Sequence, residues 1–289
     1  MCAAISVDLT REYLDAYRSD CGFGTAHAEV LRRHKVLLVP GYFSDLDPAY
    51  FSDQLNWLTS IGVENGKVPV KSRQGIAINS PIIATAIRDS TKPVILITHS
   101  KGSVDALDAL RAEGSSRAKV KGWISLQGAF FGSPVADMLL DGAQLNPLVA
   151  TVILQLFGGT NESARSLTTG ASLAYYRENK PAIDEVVREV PAVAFGSALD
   201  GESNGQTRTS LEIPLELMRR QGIRSDGLVP LDAAILPGMA FVKISGVDHI
   251  APVMPALQGF DRVRMTKALL LLLEPFRELP RAMSCKRPR

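Results

Sequence analysis

The chain has 289 residues, of which 46% are hydrophobic and 21% are charged, and its formal net charge is +2. This composition is typical of a soluble globular protein with a large core, and it argues against a disordered chain and against a nucleic-acid-binding protein. The three cysteines, Cys2, Cys21 and Cys285, lack the spacing of a metal site or a disulfide framework. We therefore expect no zinc site and reduced thiols.

Membrane insertion is not expected from the hydropathy pattern. The first thirty residues carry charges throughout and offer no apolar signal segment. The longest apolar run, Ala268–Leu273, is far shorter than the ~20 residues of a membrane span, so it predicts a buried helix face. We expect a cytoplasmic protein without stable membrane insertion.

Apolar runs separated by turn residues divide the first half of the chain into alternating strands and helices. The predicted strands are Lys35–Val39, Val68–Val70, Val94–Thr98 and Val120–Leu126, and the predicted helices are Pro48–Ile61, Ile78–Arg88 and a segment from Ser103 to Ala112. Pro69 restricts the second strand to a sheet edge. This alternation predicts right-handed crossovers, a mostly parallel sheet and therefore an α/β fold.

The second half begins with a long segment that lacks a strand signal. Between Gly132 and Val190 the sequence predicts short helices at Val135–Leu140, Pro147–Phe157, Ala164–Leu167 and Ala171–Arg177. Strands resume at Val190–Gly196 and Ala240–Ile244, and a final helix is expected at Phe260–Glu274. We interpret the chain as one domain, residues 1–289, with a helical cap inserted at residues 133–189 and a basic tail at 281–289.

The apolar segment Pro147–Phe157 allows two interpretations. It is either an ordinary core helix or a cap helix whose inner face contacts an apolar substrate. On the second interpretation we expect the substrate to be contacted by a set of apolar side chains near the cap and the loops. This set comprises Phe43, Phe131, Leu148, Val152 and Leu156.

The segment Thr98–Gly102 reads Thr-His-Ser-Lys-Gly and joins the buried strand ending at Thr98 to a helix. A serine in a tight strand-to-helix turn projects its hydroxyl from the sheet edge, beside the positive N-terminus of the helix. This is the geometry of a serine nucleophile, so we predict that role for Ser100.

A serine nucleophile needs a base, and the base needs an acid. Of the four histidines, His27 and His34 precede the first strand and His99 adjoins the serine, which leaves His249, in a loop after the last strand. Asp226, in the turn-rich segment between the last two strands, is the best candidate acid. The competing acids are Asp200, Asp232 and Asp248.

Two backbone N–H groups are expected to stabilise a developing oxyanion. One is that of Lys101, directly after the serine. The other is that of Tyr42, in the loop after the first strand, where Gly41 permits a tight backbone path.

At residues 35–275 the chain resembles the α/β-hydrolase superfamily, and within it the bacterial lipases and esterases. The resemblance rests on Val39–Tyr42, Thr98–Gly102, Gly132–Asp137, Ser225–Val229 and Asp248–His249. It implies the same roles: Ser100 as nucleophile, Asp226 as acid, His249 as base, and the N–H groups of Tyr42 and Lys101 as oxyanion hole. Gly132–Asp137 resembles the entry to a lipase lid. Pro40 and Thr98 depart from the pattern, which has His and Gly there.

The resemblance implies a serine hydrolase of carboxylic esters, acting through an acyl-enzyme on lipid-like or other apolar esters. It implies no metal and no organic cofactor; the expected partner is a small ester or lipid, and no nucleic acid. Acyl transfer and polyester cleavage by the same three side chains remain alternatives. So does a non-catalytic binding protein that kept the hydrolase fold. The oligomeric state is left open.

Overall fold

A computed structural model describes residues 6–19, 22–42, 44, 47–140, 161–199, 209–255 and 260–279. Its strands are β1 (Lys35–Val39), β2 (Glu64–Lys67), β3 (Val94–His99), β4 (Val120–Leu126), β5 (Ala192–Ala198) and β6 (Ala240–Ser245). Its helices are α1 (Thr10–Ser19), α2 (Thr25–Arg32), α3 (Ser52–Ser60), α4 (Ile76–Arg88), α5 (Lys101–Ala112), α6 (Gly114–Lys119), α7 (Pro134–Leu140), α8 (Asn161–Arg165), α9 (Thr169–Glu189), α10 (Thr209–Arg220), α11 (Arg262–Leu270) and α12 (Glu274–Arg277).

The six strands form one sheet in the order β2-β1-β3-β4-β5-β6, and every neighbouring pair is parallel. The chain moves from β1 outward to β2 and then returns to the other side of β1 for β3. The order therefore reverses between β1 and β3. In open parallel sheets the ligand crevice lies beyond the carboxyl ends of the strands at such a point.

Both faces of the sheet are buried, which explains the continuous apolar runs of the inner strands. Successive residues alternate between two cores: in β3, Ile95 and Ile97 belong to one, and Val94 and Leu96 to the other. Helices α4, α5, α9 and α10 contribute to the core that contains Leu96, and α1, α2, α3, α11 and α12 to the opposite core. The α/β class predicted from the sequence is confirmed.

The prediction of the second strand was wrong. The strand covers Glu64–Lys67, whereas the prediction placed it at Val68–Val70. β2 is an edge strand with only β1 as a neighbour, so its polar residues need no apolar alternation. Val68 still donates its N–H to Leu38, at 2.9 Å, before Pro69, which has no N–H to continue the pairing.

Several helix predictions also need correction. Helix α3 begins at Ser52 rather than at Pro48, because Phe51 has φ +66° and donates its N–H to Val253 instead. The predicted fragment Ala171–Arg177 is part of α9, which continues through Pro181 on its exposed side. Helices α1, α2, α6, α10 and α12 were not predicted.

The final helix also differs from its prediction. Helix α11 ends at Leu270, before the end of the apolar run, although the leucines from Leu269 to Leu273 are all buried as expected. None of the described helices has the length and hydropathy needed to cross a bilayer. Segment Pro147–Phe157 and the tail at 281–289 lie outside the described residues, so the cap and the tail stay predictions.

Candidate active site

Ser100 occupies the turn between β3 and α5 with φ +53° and ψ −128°, a strained conformation for a residue with a side chain. Two backbone hydrogen bonds hold it there: its N–H donates to Leu126 at 3.0 Å, and its carbonyl accepts from Ser103 at 3.0 Å. The residue is 9% exposed. Strain at one position of a buried, well-bonded turn is typical of a functional site.

Thr98, which stands where the hydrolase pattern has glycine, is accommodated by a small polar pocket. Its hydroxyl lies 2.7 Å from the Ser103 hydroxyl and accepts a hydrogen bond from Trp123 Nε1 at 2.9 Å. Ser125 in turn donates to Ser103 at 2.9 Å. The branched side chain therefore anchors the turn to β4 instead of displacing it.

The structure brings Ser100, His249 and Asp226 into one chain of hydrogen bonds. His249 Nε2 lies 2.9 Å from Ser100 Oγ, and His249 Nδ1 lies 2.8 Å from Asp226 Oδ2. Both His249 and Asp226 are almost completely buried. With Nδ1–H donating to the carboxylate, Nε2 is free to accept the serine proton, as a general base must.

The loop of Asp226 is built around its carboxylate. Asp226 Oδ1 accepts the N–H groups of Leu228 at 2.9 Å and Val229 at 2.8 Å, and the turn needs φ +105° at Gly227. The Asp226 carbonyl also accepts the N–H of His249 at 2.9 Å. The Asp-Gly pair is thus a turn, and the same turn orients Oδ2 toward the imidazole.

The competing carboxylates have other contacts. Asp232 is exposed and pairs with Lys243, while Asp248 Oδ1 accepts two N–H groups that shape the loop of His249. Asp200 lies outside the described residues. Within the described ranges, no cluster of three or more His, Cys, Asp or Glu side chains could hold a metal ion.

The loop after β1 packs directly against the serine turn. A Cβ atom built on Gly41 would lie 2.9 Å from Ser100 Cβ and 3.0 Å from the His99 carbonyl, so only glycine fits. Tyr42 follows in the same loop, and its half-buried phenol has a pKa raised by burial. Lys101 is the first residue of α5, where the N–H has no partner within the helix.

Gly102 maintains the contact between α5 and this loop. A Cβ atom there would lie 2.5 Å from the Pro40 carbonyl oxygen and 2.6 Å from that of Val39, both backbone atoms. We expect Gly102→Ala to lower the free energy of unfolding by about 1–3 kcal/mol, because the loop or the helix must move. Urea denaturation measures this change.

Gly170 provides the matched control, because it is likewise the second residue of its helix, α9. No heavy atom lies within 4 Å of a Cβ built there. Gly170→Ala should therefore leave the stability unchanged or raise it by up to about 1 kcal/mol. Equal unfolding curves for the two variants would contradict the packing argument.

One predicted substrate contact lies beside the site. Phe131 follows β4 in the loop whose Ala129 N–H faces the Ser100 carbonyl at 3.4 Å, and its ring packs edge-on against Tyr176 with centroids 5.0 Å apart. The remaining predicted contacts, Phe43, Leu148, Val152 and Leu156, lie outside the described residues.

The segment that begins the predicted cap is hydrogen-bonded to the loop of Asp226. Ser133 Oγ donates to the Leu228 carbonyl at 2.5 Å, next to the turn of Asp226. Asp137 accepts the N–H and the hydroxyl of Thr169 at 2.8 and 2.7 Å, which joins α7 to the start of α9. The segment Gly132–Asp137, predicted as a lid entry, is therefore joined both to the loop of Asp226 and to the start of α9.

A buried ion pair lies immediately after the serine. Lys101 Nζ donates to both oxygens of Asp105, at 2.9 and 2.7 Å, and both side chains are 1% exposed. Asn79 Nδ2 donates to the same carboxylate at 2.9 Å. Burial raises the pKa of Asp105, and the Lys101 ammonium opposes that shift. The pair fixes the first turn of α5, which carries the Lys101 N–H.

Sequence reasoning missed three buried polar residues beneath the site: Tyr50, His99 and Gln127. Tyr50 lies within the predicted helix Pro48–Ile61, and His99 adjoins the serine, so neither pattern marks them as residues of the site. Gln127 has φ +48°, and its Nε2 donates to the Asp248 carbonyl at 2.9 Å. The His99 ring lies 4.7 Å from that of His249, measured between centroids. A sequence pattern carries no signal for such contacts between distant loops.

Burial, with a smaller contribution from neighbouring His249, holds the pKa of His99 well below its usual range. Below about pH 6.5 an unfolded chain binds a proton at this residue and the folded chain does not. The free energy of unfolding should therefore decrease as the pH is lowered below about 6.5, by about 1.4 kcal/mol per pH unit from His99 alone. His34, with a pKa also lowered by burial, adds to the same slope.

Urea denaturation at a series of pH values below neutrality measures this slope. In His99→Gln, which keeps a polar side chain but cannot titrate, the slope should be shallower by about 1.4 kcal/mol per pH unit. Identical slopes in the two proteins would contradict the assignment of His99 as a neutral buried residue.

Comparison with known proteins supports the fold at low sequence identity. No protein-family model and no curated protein matches the sequence. A metagenomic carboxyl esterase superposes with a TM-score of 0.72 at 20% identity, over 93% of each chain. A mature lipase of Bacillus licheniformis gives 0.62 at 18% identity, over 75% of this chain and 85% of the other.

A phospholipase of Legionella pneumophila gives a TM-score of 0.58 at 15% identity, over 82% of this chain and 60% of its own. All three likenesses extend over three quarters or more of this chain, and they agree with its parallel six-stranded sheet flanked by helices. The chain therefore has the α/β-hydrolase fold, the fold that its motifs predicted.

Proposed function

We propose that this protein is a serine hydrolase of carboxylic esters. Ser100 is the nucleophile, His249 the general base, Asp226 the acid that orients it, and the N–H groups of Tyr42 and Lys101 form the oxyanion hole. The observation that carries the proposal is the pair of contacts at His249, 2.9 Å to Ser100 Oγ and 2.8 Å to Asp226 Oδ2. Each distance is within hydrogen-bonding range, and each partner comes from a different loop at the same sheet edge.

In the acylation step, Ser100 Oγ attacks the ester carbonyl carbon while its proton passes to His249 Nε2. The carbonyl oxygen becomes an oxyanion, which accepts hydrogen bonds from the two backbone N–H groups. Each such donor contributes about 3 kcal/mol of transition-state stabilisation. The C–O bond to the alcohol then breaks, His249 protonates the departing alkoxide, and the acyl-enzyme remains on Ser100.

In the deacylation step, a water molecule takes the place of the alcohol. His249 accepts its proton as the oxygen attacks the acyl carbon, and the second oxyanion occupies the same hole. The bond to Ser100 Oγ breaks and the hydroxyl recovers its proton from His249. The products are a carboxylic acid and the unchanged enzyme, so the three side chains complete the cycle without a cofactor.

Apolar esters are the proposed substrate class. The half-buried rings of Tyr42, Phe131 and Tyr176 pack against the core on the cap side of the sheet. The structural neighbours carry the names carboxyl esterase, lipase and phospholipase, all of which describe hydrolysis of esters. If the apolar segment Pro147–Phe157 is a cap helix that faces the substrate, it adds further apolar surface to the site.

Purified protein assayed on p-nitrophenyl esters of graded chain length tests the proposal, with Ser100→Ala as the reference. We expect the wild type to hydrolyse them and Ser100→Ala to be slower by at least about 10⁴-fold in kcat. Equal rates for the two proteins would overturn the proposal in favour of a binding protein on a hydrolase fold. Product analysis with added alcohols distinguishes hydrolysis from acyl transfer.

A further inference from the structure

Beneath the proposed catalytic residues runs a chain of hydrogen bonds that joins two loops of the site. The Gly41 N–H donates to Tyr50 Oη at 3.0 Å, and Tyr50 Oη lies 2.5 Å from His99 Nδ1. His99 Nε2 lies 2.8 Å from the carbonyl oxygen of His249. The chain therefore reaches from the loop after β1 that contains Gly41 and Tyr42, here called the oxyanion loop, to the backbone of the proposed base, through the residue that precedes Ser100.

The direction of each hydrogen bond follows from its partners. The His249 carbonyl oxygen can only accept, so His99 carries its proton on Nε2 and donates it there. In a neutral imidazole Nδ1 then accepts, so Tyr50 Oη donates to Nδ1 and accepts from the Gly41 N–H. Burial lowers the pKa of His99, which favours the neutral imidazole that this arrangement requires. Each hydrogen bond thus has one direction, and the loss of any member leaves buried polar atoms without a partner.

Tyr50 and Ser100 fill the space beside Gly41 in the oxyanion loop. A Cβ atom on Gly41 would lie 3.0 Å from Tyr50 Oη and 2.9 Å from Ser100 Cβ. The Tyr50 hydroxyl therefore accepts a hydrogen bond from the Gly41 N–H and also packs closely against Gly41. A change in that hydroxyl acts first on Gly41 and then on Tyr42, the next residue, which carries a proposed oxyanion donor.

The loop of His249 is also held by hydrogen bonds to the residues on either side of His249 in the chain. Gln127 Nε2 donates to the Asp248 carbonyl at 2.9 Å, next to the carbonyl that His99 holds. Gln54 Nε2 donates to the Pro252 carbonyl at 2.7 Å, and the Phe51 N–H donates to Val253 at 2.7 Å. Phe51, Gln54 and Gln127 therefore all hold the loop that contains His249.

We propose that Tyr50 and His99 are positioning residues. They hold the oxyanion loop and the His249 backbone in the positions relative to Ser100 that the reaction needs. The inference rests on the proposed function, since it assigns these loops to one reaction. Neither residue makes a hydrogen bond to Ser100 Oγ or to His249 Nε2, although the His99 ring packs 4.7 Å from that of His249. Both act through the groups they hold, so their loss should weaken stabilisation of the transition state more than binding of the ester.

Two substitutions at His99 test the proposal directly. Glutamine can accept from Tyr50 through Oε1 and donate to the His249 carbonyl through Nε2, whereas leucine of similar size can do neither. We expect His99→Leu to lower kcat by about 10–100-fold with little change in KM, and His99→Gln to stay within about 3-fold of the wild type. Equal kcat values for the glutamine and leucine variants would overturn the proposal.

Tyr50→Phe removes the hydroxyl and keeps the ring. It should lower kcat by a similar factor, and the double variant Tyr50→Phe/His99→Leu should be no slower than the slower single variant, since both break one chain. Affinity for an alkyl boronic acid, which mimics the tetrahedral intermediate, should fall in the same proportion as kcat/KM. Multiplied effects in the double variant, or unchanged boronic acid affinity, would contradict the proposal.

Hydrogen exchange separates this inference from the proposed function, because it needs no turnover. The Gly41 amide should exchange faster in Tyr50→Phe and His99→Leu, and at the wild-type rate in His99→Gln. Unchanged exchange in all three variants would overturn the positioning role. A wild type that hydrolyses no ester would instead overturn the proposed function, and the exchange rates would still decide whether the chain of hydrogen bonds fixes the loop.

Discussion

Asp226→Asn is expected to lower kcat for ester hydrolysis by about 10⁴-fold while the protein stays folded. Asp226 Oδ1 accepts two backbone N–H groups, from Leu228 and Val229. In the variant the amide oxygen keeps that position, so its NH₂ group faces His249 Nδ1. The imidazole then carries its proton on Nε2 and cannot accept one from Ser100. Steady-state kinetics with a p-nitrophenyl ester measures the effect.

Asp232→Asn is the matched control, because it makes the same chemical change at an exposed carboxylate six residues away that pairs with Lys243. Its kcat should equal that of the wild type. An Asp226→Asn enzyme that keeps more than about a tenth of wild-type kcat would contradict the assignment of the acid. It would also return Asp200, the competing acid from the sequence, to consideration.

Asp105→Asn is expected to lower the free energy of unfolding by about 3–5 kcal/mol, because it leaves the Lys101 ammonium buried without a counter-charge. The carboxylate accepts hydrogen bonds from both Lys101 and Asn79, on its two oxygens. An amide has only one acceptor oxygen, so one donor faces the new NH₂ group. Urea denaturation measures the loss.

Asp184→Asn provides the control, since Lys180 and Asp184 form the same i,i+4 pair with both side chains about half exposed. It should leave the free energy of unfolding almost unchanged, because solvent screens an exposed pair. Removing both charges, in Lys101→Met/Asp105→Ala, should recover much of the loss, because Asn79 Nδ2 keeps the Lys71 carbonyl at 3.2 Å. Similar losses at Asp105 and Asp184 would contradict a buried, fully desolvated pair.

The strands that the sequence predicts well are those that need an apolar composition because both of their faces are buried. β1, β3 and β4 are apolar on both faces and end at turn residues, so their limits lie within one residue of the prediction. The edge strand β2 has only one neighbour and a polar sequence, so apolar periodicity pointed to Val68–Val70 instead. Long-range packing also decides helix limits, as at Phe51, where a hydrogen bond to Val253 replaces the helical conformation.

The proposed catalytic residues could be chosen from the sequence because chemistry limits the residue types and the parallel sheet limits their places. A serine after β3, an acid before β6 and a histidine after β6 share one edge. Tyr50, His99 and Gln127 could not be chosen in this way. Their roles depend on hydrogen bonds between loops that lie far apart along the chain, as in the contact of His99 with the carbonyl of residue 249.

Labelling with a fluorophosphonate probe tests whether Ser100 is an activated nucleophile, because only an activated hydroxyl reacts at an appreciable rate. We expect one adduct per chain, located on Ser100 by peptide mass spectrometry and absent from Ser100→Ala. We also expect much slower labelling of His249→Gln, which lacks the base. A well-folded wild type that stays unmodified, or that is modified at another residue, would show that Ser100 is not the nucleophile.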